Sequence, residues 1–202
     1  MTVEIIHGDC MEYMRGLPDN AFELAIVDPP YGIERFKKGG SHLNKHGSHD
    51  AQWNNEKPGS EFFSELFRVS GRQIVWGANN FTLPPSEYFI IWHKPNMPEG
   101  MSFASCEYAW TNVKKPAKIF TQHSASESRI HPTQKPIKLY QWLLKNYANP
   151  GDRILDTHLG SGSSAIAAHY AGHDFVGIEL DADYYAAAVA RFDRETRQEC
   201  LF

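Results

Sequence analysis

Cysteine is scarce in this chain. Cys10, Cys106 and Cys200 are the only three in 202 residues, and they lie far apart. An odd, scattered set supports neither a disulfide framework nor a zinc cluster and points to a reducing compartment. No apolar run approaches the roughly 18 residues of a membrane span. The opening residues carry Glu4 and Asp9 and do not read as a signal peptide. Positive charge is not in excess either: 20 Lys+Arg against 24 Asp+Glu leave −4. That excludes a uniformly basic nucleic-acid coat, although a local basic patch can still steer a ligand. Repeats and low-complexity tracts are also missing. What remains is a globular chain with 42% hydrophobic residues, expected in the cytoplasm and of single-domain length over 1–202. Such a chain buries about 70% of its unfolded surface and needs no covalent staples.

Strand-like and helix-like stretches alternate along it. Val3–His7 reads as a strand, Met11–Leu17 as one or two helical turns, and Phe22–Val27 as an apolar strand covered on both faces. From Ile33 to Ser60 the apolar periodicity fades into glycine, lysine and histidine, so 33–60 is expected to be a mobile loop or insertion. Glu61–Phe67 has helical spacing. Gln73–Trp76, Tyr88–Trp92 and Ser105–Trp110 read as strands with short connections, which implies an antiparallel hairpin element. Ile137–Ala148 is an amphipathic helix stopped by Asn149-Pro150-Gly151. Arg153–Asp156, a glycine turn, the helix Ala165–Ala171, the strand Phe175–Glu179 and the helix Ala182–Arg194 complete the chain. This pattern is an α/β doubly wound, mostly parallel sheet, whose ligands sit beyond the carboxyl ends of the strands.

Two places carry chemistry. In Arg153–Glu179, Gly160-Ser161-Gly162 lets the backbone approach a ligand, and the helix behind it presents unpaired N–H groups. Asp156 ends the first strand of this unit and Glu179 the second, the position from which an acid bonds ribose hydroxyls. A third glycine of the dinucleotide fingerprint is missing, as Ala165 stands there, and so is the Gly-Lys-Ser/Thr of a phosphate loop. The turn is therefore either a nucleoside site or a structural strand-to-helix turn, and the two acids favour the nucleoside. The other place is Asp28-Pro29-Pro30-Tyr31. Two prolines fix the backbone and remove two N–H donors, which leaves a carboxylate and carbonyls able to accept bonds from an –NH₂ group. Tyr31 adds a flat face on which a base can stack.

With these motifs the chain resembles S-adenosylmethionine-dependent DNA methyltransferases that act on exocyclic amino groups. It has their β-type motif order, a circular permutation in which the catalytic tetrapeptide precedes the cofactor turn. Gly8-Asp9-Cys10, His131-Pro132-Thr133-Gln134-Lys135-Pro136, Ile154-Leu155-Asp156, Gly160-Ser161-Gly162-Ser163 and Val176-Gly177-Ile178-Glu179 fit the family's other motifs in order. The resemblance implies a Rossmann-like methyltransferase sheet. It also implies that Asp28 and the Pro29 carbonyl take the target amine, with Pro30 keeping the corner rigid and Tyr31 stacking on the base. Asp156, Gly160, Ser161, Gly162 and Ser163 would then hold the methionine part of the cofactor, with Thr133, Gln134 and Lys135 beside it. Asp28 adjoins that part, Glu179 takes the ribose, and Asp9 and Cys10 lie against the adenine. His158 stands where the family commonly has an aromatic residue, so packing there should differ.

The resemblance further implies double-stranded DNA as substrate, with the target base extruded from the duplex. An Asp-first tetrapeptide resembles enzymes of the adenine 6-amino group. Enzymes of the cytosine 4-amino group, and RNA amino-methyltransferases, are the alternatives. Arg35, Lys37, Lys38, Lys45 and Lys57 are the first candidates for phosphate contacts on a lid, and Lys114, Lys115 and Lys118 the second. Each group reads equally as a solvated charge run. His42, His46 and His49 lack a companion acid or cysteine at ligand spacing, so no metal is expected. Little room is left for a recognition domain, which implies short or relaxed specificity or help from a second copy in a homodimer. A cellular modification enzyme and a phage- or plasmid-borne one look alike at this level.

Overall fold

The computed structural model describes residues 1–32, 57–95, 104–123 and 129–197. Its strands are β1 (Val3–His7), β2 (Phe22–Val27), β3 (Ser70–Trp76), β4 (Phe89–His93), β5 (Cys106–Thr111), β6 (Lys118–Thr121), β7 (Arg153–Asp156) and β8 (Asp174–Glu179). They form one sheet in the order β1-β8-β7-β2-β3-β5-β4-β6. Every neighbouring pair is parallel except those made by β5, which runs against both β3 and β4. The doubly wound sheet and its antiparallel element are thus as the sequence predicts. The short edge strand β6 is not: its two alternations, Lys118-Ile119-Phe120-Thr121, are too few to register as a period.

Among the described residues, five α-helices cover the sheet: α1 (Cys10–Arg15), α2 (Ser60–Val69), α3 (Ile137–Tyr147), α4 (Ser163–Ala171) and α5 (Ala182–Thr196). From Leu24 to Val27 the side chains of β2 alternate between two cores, and Phe22 at its start joins the second. Leu24 and Ile26 join Leu139, Leu143 and Ala165 under α3 and α4, while Phe22, Ala25 and Val27 join Met14, Phe62 and Leu66 under α1 and α2. A strand with Phe22 through Val27 almost wholly apolar is what two covered faces require. No helix among the described residues is long and apolar enough to cross a membrane.

Connectivity places the site. From β7 the chain passes through α4 to β8 on one side, and from β2 through α2 to β3 on the other. β7 and β2 are parallel neighbours, with Leu24 opposite Ile154 and Ala25 opposite Leu155. The strand order therefore reverses between them, and a crevice opens at their carboxyl ends. The Asp-Pro-Pro-Tyr corner follows β2 and the glycine turn follows β7, so the two chemical motifs stand side by side at that switch point.

Candidate active site

Asp28 lies two residues beyond Ile26 and shares its strand face, the one covered by α3. Its carboxylate therefore turns toward the segment that opens α3. There the Lys135 ammonium donates to Asp28 Oδ2, while the Tyr31 hydroxyl donates to Oδ1 at 2.5 Å. Burial first, and the Asp28 charge second, hold the Tyr31 hydroxyl well above its ordinary pKa, so it remains a donor. Sequence reasoning put Lys135 beside the cofactor; in the structure its ammonium pairs with Asp28.

The Tyr31 ring occupies the space over Gly77, which ends β3 in the left-handed region at φ +64°. A Cβ at Gly77 would lie 2.0 Å from Tyr31 Cε1, so only glycine fits. Asn80 Nδ2 donates to the Gly77 carbonyl at 2.9 Å and closes this turn. Gly77→Ala should displace the tyrosine ring and cost roughly 1–3 kcal/mol in stability from overpacking and strain. DNA-dependent turnover should fall while cofactor affinity stays within a few-fold. Denaturant melts and cofactor calorimetry on the variant check this.

Lys135 has a second acid. Because β5 alone runs antiparallel, Glu107, near its start, reaches the same rim as the residues that end β2 and β3. Lys135 Nζ lies 3.0 Å from Glu107 Oε2 and 5.5 Å from the centre of the Trp76 ring. Lys94, just past β4, donates to the other oxygen, Oε1. Burial alone would lower the Lys135 pKa, but Asp28 and Glu107 outweigh it and the ammonium titrates above its usual value. Burial would likewise raise Glu107, but Lys135 and then Lys94 hold its carboxyl below the usual range. Neither Glu107 nor Lys94 stood out in the sequence. The available signal was one acid inside an otherwise apolar strand.

On the β7 side Asp156 is 1% exposed. Its Oδ2 accepts from the Ser164 hydroxyl at 2.6 Å and its Oδ1 from the His158 N–H at 3.1 Å. Burial still pushes its carboxyl up to about 7. Glu179 binds the turn to β8: Oε2 accepts from the Gly160 N–H at 2.8 Å and Oε1 from the Asp181 N–H at 3.0 Å. Gly160 and Gly162 sit at φ +54° and +74°, where a side chain is strained. Arg191 of α5, buried beneath the turn, donates to the Ser161 carbonyl at 2.9 Å and to Ser163 Oγ at 2.8 Å. Sequence reasoning missed this arginine, which looks like any other charge on an amphipathic helix.

Around this centre, Asp9 caps α1, its Oδ1 accepting the Met11 N–H at 2.7 Å. Cys10 is half-buried, and burial, then Asp9, push its thiol up to about 12, so it stays neutral. Burial pushes the His158 imidazole down to about 4. This neutral ring meets Phe62 edge-on at 5.3 Å between centroids, which makes it an aromatic surface in an aromatic position. Thr133 Oγ1 lies 3.2 Å from His131 Nδ1, and Gln134 Oε1 accepts from the Ile130 N–H at 3.0 Å. The His131 ring covers Gly160 and packs on Tyr184 with centroids 4.4 Å apart.

The DNA-contact candidates divide. Lys57 lays its stem over Gly32 and donates to the Asn80 carbonyl at 3.3 Å, beside Tyr31. Lys114, Lys115 and Lys118, the second candidates, lie away from the corner. They follow β5 and start β6, which puts them at the rim opposite Asp28. Lys115 donates to the Asn146 carbonyl and Lys118 to Asn146 Oδ1 at 2.6 Å. Cations suit the last turn of a helix, and this pair serves the end of α3. Arg35, Lys37, Lys38, Lys45, His42, His46 and His49 lie outside the described residues, as does Cys200.

Comparison with known proteins bears on this arrangement. The family model described as DNA methylase matches residues 105–190. The DNA adenine methyltransferase YhdJ of Escherichia coli is 24% identical, over 94% of this chain and 82% of that protein. The M1.HpyAVI–SAM complex superposes with a TM-score of 0.63 at 22% identity, covering 95% of this chain and 100% of that one. The cytosine-N4-specific PvuII DNA methyltransferase gives 0.65 at 14% identity, covering 98% and 91%. Motif order, matched segment and fold agree in likening the chain to S-adenosylmethionine-dependent DNA amino-methyltransferases.

Proposed function

We propose that this protein transfers a methyl group from S-adenosylmethionine to the exocyclic 6-amino group of an adenine extruded from double-stranded DNA. The observation that carries this reading is the placement of Asp28 and the glycine turn on adjacent parallel strands at one switch point. The residues at the turn suit the cofactor: two glycines at positive φ, a buried acid for an ammonium and a second acid at the ribose position. Asp156 and the Gly160–Gly162 backbone would hold its methionine part with His158 packed beside it, Glu179 would take its ribose, and Asp9 and Cys10 would lie against the adenine. When bound, the cofactor supplies a methyl group on a sulfonium sulfur, so the amine's lone pair forms the N–C bond as the C–S pair stays on sulfur.

Asp28 does the rest. An exocyclic amine is a poor nucleophile because its lone pair is delocalised into the ring. The carboxylate accepts an N–H bond from it, which returns density to nitrogen and stabilises the positive charge that develops there. The methylated nitrogen then carries one proton too many, and Asp28 is the adjoining acceptor. The corner lies beyond the strand ends, and a base still stacked in a duplex does not reach it, which is the ground for extrusion. Adenine is favoured over cytosine by the aspartate that opens the tetrapeptide. Incubation with unmethylated DNA, followed by nucleoside mass analysis, tests this: N6-methyladenine is the expected product. N4-methylcytosine would overturn the base assignment, and no methylated nucleoside would overturn the reaction.

One pH dependence follows. A carboxyl titrating at about 7 is increasingly protonated below that pH, and a neutral Asp156 cannot pair with the cofactor's ammonium. Cofactor affinity should therefore rise between pH 5.5 and 7.5, by up to about tenfold per unit on the acid side. The neighbouring His131 and His158, both pushed down to about 4, stay neutral across this window. Calorimetry across that range checks it, and a flat profile would remove Asp156 from the ammonium site.

A further inference from the structure

We infer that Glu107 is a positioning residue that receives the Lys135 ammonium when the target amine reaches Asp28. This deepens the methyl-transfer reading of the same site and rests on it.

In the structure both oxygens of Asp28 are engaged, Oδ1 by the Tyr31 hydroxyl and Oδ2 by Lys135. An incoming –NH₂ group competes with those donors for the acceptor on which the chemistry depends. An ammonium that stays on the carboxylate also draws electron density away from it, which opposes what the amine needs. Freeing Asp28 by sending Lys135 to solvent is closed, since its side chain is 2% exposed. Leaving a buried ammonium without a partner would cost several kcal/mol.

Glu107 supplies the alternative. Its Oε2 is fully buried and has no hydrogen-bond donor, although Lys135 Nζ is only 3.0 Å away and off the bonding direction. A buried carboxylate oxygen this poorly aligned with its ion-pair partner is stabilised when a donor turns onto it. A small swing of the ammonium from Asp28 Oδ2 to Glu107 Oε2 satisfies that oxygen and keeps Lys135 over the Trp76 ring. The swing releases one lone-pair site on Asp28. No charge leaves the interior: two lysines and two acids stay paired, Lys94 holding Oε1 of Glu107 throughout. Lys94 sets the balance, because the more it neutralises Glu107, the more firmly Lys135 stays on Asp28.

Two substitutions then act in opposite directions. Glu107→Gln removes the receiving charge and pins Lys135 on Asp28. Lys94→Met leaves Glu107 to pair with Lys135 alone and loosens the hold on Asp28. The expected results are a single-turnover methyl-transfer rate at least tenfold below wild type for E107Q and at or above wild type for K94M. Cofactor affinity should stay within threefold for both. A binding measurement goes with the rates. Wild type and K94M should prefer a duplex with adenine at the modified position over one with purine, which lacks the amine, and E107Q should lose that preference. A wild-type rate in E107Q, a rate in K94M below wild type, or parallel falls that track melting temperature would overturn the inference while leaving methyl transfer itself intact. If E107Q fails to fold, the K94M rate decides alone. A wild-type protein that methylates no DNA would sink the underlying reading instead.

Discussion

Asp28→Ala should abolish methyl transfer to DNA while leaving cofactor affinity within a few-fold. The size of the effect follows from what the side chain does. It is the carboxylate at the corner, followed by two prolines that offer no donor, and nothing else at the corner can both accept from an amine and balance positive charge on nitrogen. Removing one such preorganised group costs roughly 10²–10³-fold in rate elsewhere, and here it also removes the acceptor for the departing proton. Stability is the confounding term, because truncation strips one of the two acids from buried Lys135. Glu107 remains as a counter-charge, so the loss should fall short of the roughly 3–5 kcal/mol of a fully orphaned ion. Melting curves beside the rates separate the two effects. Turnover near wild type in a folded D28A protein would remove Asp28 from the mechanism.

The second large effect is expected on binding. Glu179→Ala should weaken the cofactor by roughly 1–3 kcal/mol, about 5- to 150-fold, the cost of leaving buried polar partners unpaired. Its two oxygens hold the N–H groups of Gly160 and Asp181, so the glycine turn loses its tie to β8 together with the proposed ribose acceptor. Glu179→Gln keeps one acceptor oxygen for these donors and should lose less. Calorimetric titration of both variants reads this directly. Equal affinity in wild type and E179A would contradict the ribose assignment and leave the carboxylate as a structural clamp.

Local signals carried most of the fold. Phe22–Val27 is apolar because α helices cover both its faces, and that same continuity marks it as a central parallel strand. The glycines of the turn announce themselves because positive φ excludes most other residues. Sequence separation hides the rest. Lys135 and Asp28 are brought together by the parallel pairing of β2 with β7 and the return of α3 across them, and no local pattern encodes that meeting. Glu107 enters only because β5 is reversed in the sheet, a fact of topology that its own residues do not express. Arg191 acts across a helix–turn contact. Lys115 and Lys118 read as a basic patch in one dimension and fold into the carbonyl end of α3 in three. The motifs gave the chemistry, and the topology supplied the residues that hold the charges of the site in balance.

A crystal structure of the protein with S-adenosylmethionine, or its demethylated product, and a duplex containing the modified site tests the central placement most directly. The expected result is the sulfur seated by Asp156 and the glycine turn, with the exocyclic nitrogen of an extruded base roughly 3 Å from both the transferable methyl position and the Asp28 carboxylate. A nucleoside bound away from the β7–β2 crevice, or an extruded base whose amine faces away from Asp28, would contradict it.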